Sequence, residues 1–294
     1  MRWIAILIII FQMGCATQTP DIKAHYSPEN TRHILEQTRV AASGITSEKS
    51  TDLLATSEEM QDFLKSIDPS LTPSRRFRQA IRTLKLNEFR LEYDLNRTTN
   101  AAEAFKDRRG NCISFAALIV ALARGVGLEA HFNRVDAPLG SAKIRNANGR
   151  QVQQSILHIN AEVSYGWSSQ VIEINFTPRS RYPHIPLGDE EVKSMYMNNL
   201  ALEASNNGDL PLAFSHIGNA LALHQQSAIA WTTLGYLYRQ HGALDLAEMS
   251  YNHALYLDAD NTAAQLNLRN IYQLRDQRVL SSNNQHVIKS APEA

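Results

Sequence analysis

Three side chains near the middle of the chain have the types and the order of a nucleophilic thiol site: Cys112, His158 and Asn175. Cys112 follows Gly110-Asn111 and opens a run, Ile113 to Ala123, that is apolar on nearly every side and belongs inside a domain as a helix. A sulfur on the first turn of such a helix meets backbone N–H groups and the positive end of the helix dipole. That setting favours the thiolate, which is the attacking form. The chemistry then needs a histidine to carry protons and a polar group to fix the imidazole. His158 and Asn175 lie on two successive stretches of alternating character, so an antiparallel hairpin would set both on one face beside the helix start. Each residue also has a plainer reading: a cysteine in an apolar helix is often only buried, a single histidine is often a satisfied core residue, and an asparagine at a strand end is often a turn residue.

The other cysteine, Cys15, stands in a different context. Arg2 precedes an apolar run from Trp3 to Phe11, and Gly14, Cys15 and Ala16 follow. This is the pattern of a secretory leader, too short to span a bilayer as a helix. The Gly14-Cys15 junction resembles a bacterial lipobox, which implies lipidation at Cys15, cleavage of the leader 1–15, and a protein anchored to the periplasmic side of the outer membrane. Gln12 departs from the apolar residue of that pattern, and plain cleavage or a retained anchor are the other outcomes. With Cys15 acylated, Cys112 has no disulfide partner, and a lone thiol in an oxidising compartment calls for a function.

Elements that position the three residues can be read on either side. Ser27-Pro28 and Thr72-Pro73 each set a capping residue before proline at the first helical position, so helices start there and brace the domain. Phe89 to Asn100 reads as an extended piece, Ala101 to Lys106 as a short helix, and Cys112 to Gly127 as the central helix. Leu128 to Val135 alternates as a strand. Asp136 to Arg150 reads as a long polar loop, followed by strands over about Val152 to Tyr165 and Gln170 to Phe176. Helix followed by antiparallel strands gives an α+β domain over 27–180. Pro178, Pro183 and Pro186 mark a break, and 181–193 reads as a linker.

Beyond the break the chain becomes rich in alanine and leucine, with a fixed step. Ala213 and Ala247 are 34 residues apart, as are Ala220 and Ala254, and Leu200, Leu234 and Leu268 keep the same interval. A 34-residue period means stacked helical hairpins, in which small residues let helices approach and aromatics fill the gaps. Two copies and a partial third cannot bury their faces alone, so the array packs on the preceding domain or on a partner. Asn198, Tyr236 and Arg239 are candidates for partner contact, and 276–294 reads as a polar, loose tail.

Composition excludes several classes. Lysine plus arginine balance aspartate plus glutamate at 29 each, so no global field favours nucleic acid. The cluster Arg75, Arg76, Arg78 and Arg82 reads as the solvated face of a helix whose stripe is Phe77, Ala80, Ile81 and Leu84. There is no paired-cysteine motif, no His-Glu-x-x-His and no phosphate-cradling glycine loop, so no metal or cofactor is expected. His131 reads as structural.

Two resemblances join these readings. Arg109-Gly110-Asn111-Cys112 through Ala117-Leu118, Ala123-Arg124 and Gly127-Leu128-Glu129-Ala130, followed by His158, Glu162-Val163, Trp167 and Asn175-Phe176-Thr177-Pro178, resembles the transglutaminase-like superfamily of papain-like thiol folds over about 80 to 180. Asn175 stands where that family carries aspartate. Trp231, Leu234, Gly235, Tyr238, Ala247, Tyr251 and Ala254 resemble the tetratricopeptide signature over 194–275. The first resemblance implies a thiol enzyme acting on peptide or amide bonds through a Cys112, His158, Asn175 triad. The second implies a module that binds a protein partner or substrate. A noncatalytic interaction scaffold of the same build is the alternative.

Overall fold

A computed structural model of the chain describes residues 27–43, 52–136, 140–145, 151–177 and 181–289. The leader and Cys15 lie outside the described residues, as do Pro178 and the Asn146 to Arg150 part of the expected loop. No helix among the described residues is long and apolar enough to cross a membrane.

The centre of the first half is helix α5 (Cys112–Gly125), buried at every position from Cys112 to Ala123. An apolar helix stays in place only if other elements wrap it, and here α2 (Glu58–Ser66), α3 (Pro73–Leu86) and α4 (Ala101–Asp107) contribute Met60, Leu64, Phe77, Leu84 and Ala104 to the shared core. On the other side lies a four-stranded antiparallel sheet, built from β3 (Ala130–Val135), β6 (Ile159–Ser164), β7 (Ser169–Ile172) and β8 (His184–Leu187) in the order β7-β6-β3-β8. Phe132 pairs with Ala161, and Ala130 with Val163, so one face of the sheet meets α5 while the opposite face carries His131, Asn133, Asn160 and Glu162. A separate parallel pair, β1 (Glu92–Tyr93) with β2 (Arg109–Gly110), frames the start of α5.

Several expected boundaries move. The strand read over Val152 to Tyr165 is two strands in different sheets: β5 (Gln151–Ile156) pairs with β4 (Gly140–Arg145) as its own hairpin, inside what read as loop, and β6 starts only at Ile159. The strand read over Gln170 to Phe176 stops at Ile172, because Asn175 and Phe176 have positive φ, 51° and 58°, and curl the chain into a 3-10 turn at Ile174–Phe176. The stretch 181–193, read as a linker, instead holds β8 and the first residues of α6 (Asp189–Asn206). Prolines mislead at that point because β8 is an edge strand, where Pro186 needs no outward N–H.

The second half is all helix. α7 (Leu210–Leu223) and α9 (Leu244–Leu257) are offset by 34 residues at both ends, and α8 (Ala228–His241) and α10 (Thr262–Lys289) by 34 at their starts. α6 packs with α7 and α8 with α9 as antiparallel hairpins. Ala213, Ala220, Ala247 and Ala254 are fully buried between them, and a Cβ on Gly235 would sit 2.7 Å from the Tyr251 ring. α10 continues to Lys289, so most of the tail read as loose is helix. Asn198 and Tyr236 are buried, with Arg239 stacked at 5.6 Å on the Tyr236 ring, which corrects their reading as surface contacts.

Helix α1 (Pro28–Ala41) also departs from expectation. It packs on α7 and α9, away from the sheet domain that it was expected to brace. Ile34 supplies its buried apolar contact, and the Tyr238 hydroxyl lies 2.8 Å from Thr38 Oγ1 and donates to the Ile34 carbonyl at 2.9 Å. The two halves meet through α6: Arg124 at the end of α5 holds Asp189 at the start of α6 by two contacts, 2.5 and 2.9 Å, and Tyr196 is fully buried. An arginine at a helix C-terminus and an aspartate at an N-terminus each also complement a helix dipole.

Candidate active site

The start of α5 is fixed by a chain of small polar side chains. Asn111 caps it, its Oδ1 accepting from Ile113 N at 3.1 Å and Ser114 N at 3.2 Å, while its Nδ2 donates to Thr98 Oγ1 at 2.7 Å. Ser114 Oγ accepts from Thr99 N at 2.8 Å and from Asn111 N at 3.3 Å. Gly110 is required by this closeness, since a Cβ there would lie 2.6 Å from Ser114 Cβ. The Asn111 carboxamide is thus committed to the cap and to Thr98. Cys112 N–H is the one donor of this first turn that the cap leaves alone.

Cys112 is 7% exposed, and its Sγ reaches the Leu157 carbonyl at 3.7 Å. The next residue, His158, sits in the gap between β5 and β6, held there because its carbonyl accepts from Val135 N at 2.9 Å. Its ring is half-buried. Nε2 lies 2.6 Å from Glu173 Oε2. The imidazole is pushed up to about 10, first by its hydrogen bond to Cys112 and then by that to Glu173, with burial opposing.

Glu173 is the residue that sequence reasoning missed. It is 4% exposed; Oε2 meets His158, and Oε1 accepts from Asn160 Nδ2 at 2.9 Å and lies 3.6 Å from His184 Nε2. Asn175, expected in this role, is elsewhere: its Oδ1 accepts from Leu91 N and its Nδ2 donates to Leu91 O, both at 2.8 Å. The carboxamide therefore clamps the 3-10 turn to the chain before β1. On a continuous strand residues 173 and 175 would share a face, so period-two alternation alone could not choose between them. A signal was present, since glutamate is a charge that the apolar surroundings of Ile172 and Ile174 would exclude unless paired.

Tyr93 on β1 completes the rim. Its hydroxyl is raised, first by burial and then by the Cys112 sulfur, although half the side chain remains exposed. Trp167, part of the resemblance, is fully exposed at the β6 to β7 turn and takes no part in the site. His131 lies 3.5 Å from Glu162, on the polar face of the sheet. Among the described residues no group of three or more His, Cys, Asp or Glu side chains is disposed to hold a metal ion.

Residues 61–169 match the model of the transglutaminase-like superfamily. The match runs from α2 to the first residue of β7, takes in Cys112 and His158, and stops short of Glu173. The chain carries a transglutaminase-like domain, and that class of domain fits either a papain-like thiol enzyme or a noncatalytic scaffold. No curated protein matches the chain.

Proposed function

We propose that the protein is a thiol acyl-transfer enzyme acting on peptide or amide bonds, with Cys112 as nucleophile, His158 as proton carrier and Glu173 as the group that orients and stabilises the imidazolium. The observation that carries this reading is the placement of one imidazole between a sulfur and a buried carboxylate, its proton held up to about 10. Cys112 sulfur attacks the amide carbonyl, and the carbonyl π pair moves onto oxygen. The C–N bond then breaks, with the amine leaving as it takes the His158 proton. Water or a second amine then attacks the thioester carbonyl and gives up its proton to His158, and the C–S bond breaks to release the acid or new amide and return the Cys112 thiolate. The Cys112 N–H, at the helix start, and the Tyr93 hydroxyl, whose proton the charge of the sulfur helps to hold, would receive the developing oxyanion.

Around this centre the remaining parts are assigned as follows. The helical array is a tetratricopeptide-type module whose 34-residue step and buried alanines support the assignment, and it binds a protein partner or substrate. Acylation at Cys15 would hold the protein to the periplasmic side of the outer membrane. The second reading, a noncatalytic scaffold, is favoured by the low exposure of Cys112. Mass spectrometry of the intact protein after incubation with glutamine-containing peptides separates the two. An enzyme yields a hydroxylamine-labile adduct that Cys112→Ala abolishes; an adduct that persists in Cys112→Ala, or none with any acyl donor, favours the scaffold.

A further inference from the structure

β7 is an edge strand, and its outward side opens on a cleft of about 160 Å³ between it and α3. Which of its backbone groups face outward follows from the register. Tyr165 N donates to Ser168 O at the hairpin turn, so Val163 with Gln170 and Ala161 with Ile172 are the hydrogen-bonded pairs. Ser169 and Val171 therefore turn their N–H and C=O groups away from β6. The facing wall is α3, which carries Arg75, Arg76, Arg78, Arg82 and Lys85 and no acidic residue. Arg78 lies 4.9 Å over the Tyr165 ring and Lys85 4.8 Å over the Phe176 ring, one at each end of the cleft, with Ile81 between them. Seven residues of helix separate these cations by about 10 Å, the length of about three residues of extended chain. Glu173 also lines the cleft, but its carboxylate is occupied by His158 and Asn160.

We infer that this cleft docks an extended, acidic polypeptide segment, which adds to the sheet at Val171 and sets its carboxylates against Arg78 and Lys85. Backbone pairing supplies affinity in this mode and the flanking side chains supply selection. The cleft adjoins the Glu173 carboxylate that holds His158, so the docked segment is part of the substrate of the proposed thiol enzyme. Only the word substrate rests on that reading; the docking itself does not. Arg78, alone of its cluster at the cleft, thereby has a use that a solvated helix face leaves open.

The test is fluorescence anisotropy on the full chain with a labelled Glu-Val repeat peptide and a Lys-Val repeat as control. Saturable binding of the Glu-Val peptide alone is expected, weakened about tenfold or more by the Arg78→Ala, Lys85→Ala pair and by added salt. Val171→Pro removes an outward N–H without breaking a β6 bond, and should abolish binding. Should that variant unfold, backbone N-methylation of alternate peptide residues asks the same question of the unaltered protein and should also abolish binding. Equal binding of the Lys-Val peptide, indifference to N-methylation, or binding to phosphatidylserine vesicles that the Glu-Val peptide cannot displace would overturn the inference. Cys112→Ala should bind as the native chain does. An inert Cys112 in a protein that still binds the peptide would defeat the catalytic reading alone, and a reactive Cys112 without peptide binding would defeat the docking alone.

Discussion

Glu173 presents one carboxylate to three nitrogens, those of His158, Asn160 and His184, in a place almost closed to water. A charge so buried stays ionised only when its partners hold it, so Glu173 and His158 depend on each other. Two substitutions separate this carboxylate from the carboxamide two residues on. Glu173→Gln should lower the His158 titration toward the ordinary imidazole range and slow Cys112 alkylation near neutral pH, measured by NMR titration and by adduct formation. Asn175→Ala should instead destabilise the fold by about 1–3 kcal/mol, for two lost hydrogen bonds to Leu91, and leave alkylation within about twofold. The pH dependence has a definite sign. His158 is raised from 6.5 to about 10 in the folded protein, so it holds its proton more tightly folded than unfolded. Its stabilisation is complete below about pH 6.5 and disappears as pH rises toward about 10, a trend that Tm measurements should show and His158→Ala should remove. The place of Cys112 at a helix start was legible in the sequence because an apolar run and the capping Asn111 are local signals. The pairing of His158 with Glu173 was not, since a 3-10 turn with two residues at positive φ carries Asn175 elsewhere, and nothing local announces that turn.

Helix α5 was legible almost to the residue, because continuous apolarity after Gly-Asn leaves little else. Its start depends on interlocking small groups, and Gly110→Ala should be severe: a methyl 2.6 Å from Ser114 Cβ must push the cap or the helix aside. Loss of about 1–3 kcal/mol in urea unfolding is expected, together with slower alkylation of Cys112, since the helix start carries the sulfur. Strands were less legible than helices. β5 and β6 read as one stretch because alternation continues through Leu157 and His158; the break comes from partners, Cys112 Sγ and Val135 N, that lie far off in sequence. β8 was hidden by its prolines, which only an edge position tolerates.

At the scale of the molecule, the chain is tied together from both ends. α1, which follows the expected anchor in sequence, lies on the helical array, and α6 carries the array back to α5 through Arg124 and Asp189. The period made the array readable, whereas the seat of α1 could not be foreseen, because a helix with so few apolar residues gives no sign of its partner. Ile34→Ala should release it at a cost of about 2 kcal/mol or more, and Tyr238→Phe at about 1 kcal/mol, with hydrogen exchange in 28–41 rising while that in 112–125 stays protected.

The most direct test of the central claim is the rate of Cys112 alkylation by iodoacetamide in the folded protein, followed against pH in the native chain and in His158→Ala. Native Cys112 is expected to react far faster than a free thiol below pH 7, with His158→Ala slowing that reaction by about tenfold or more. Equal rates in the two proteins, or a native thiol that reacts only when the protein unfolds, would contradict it.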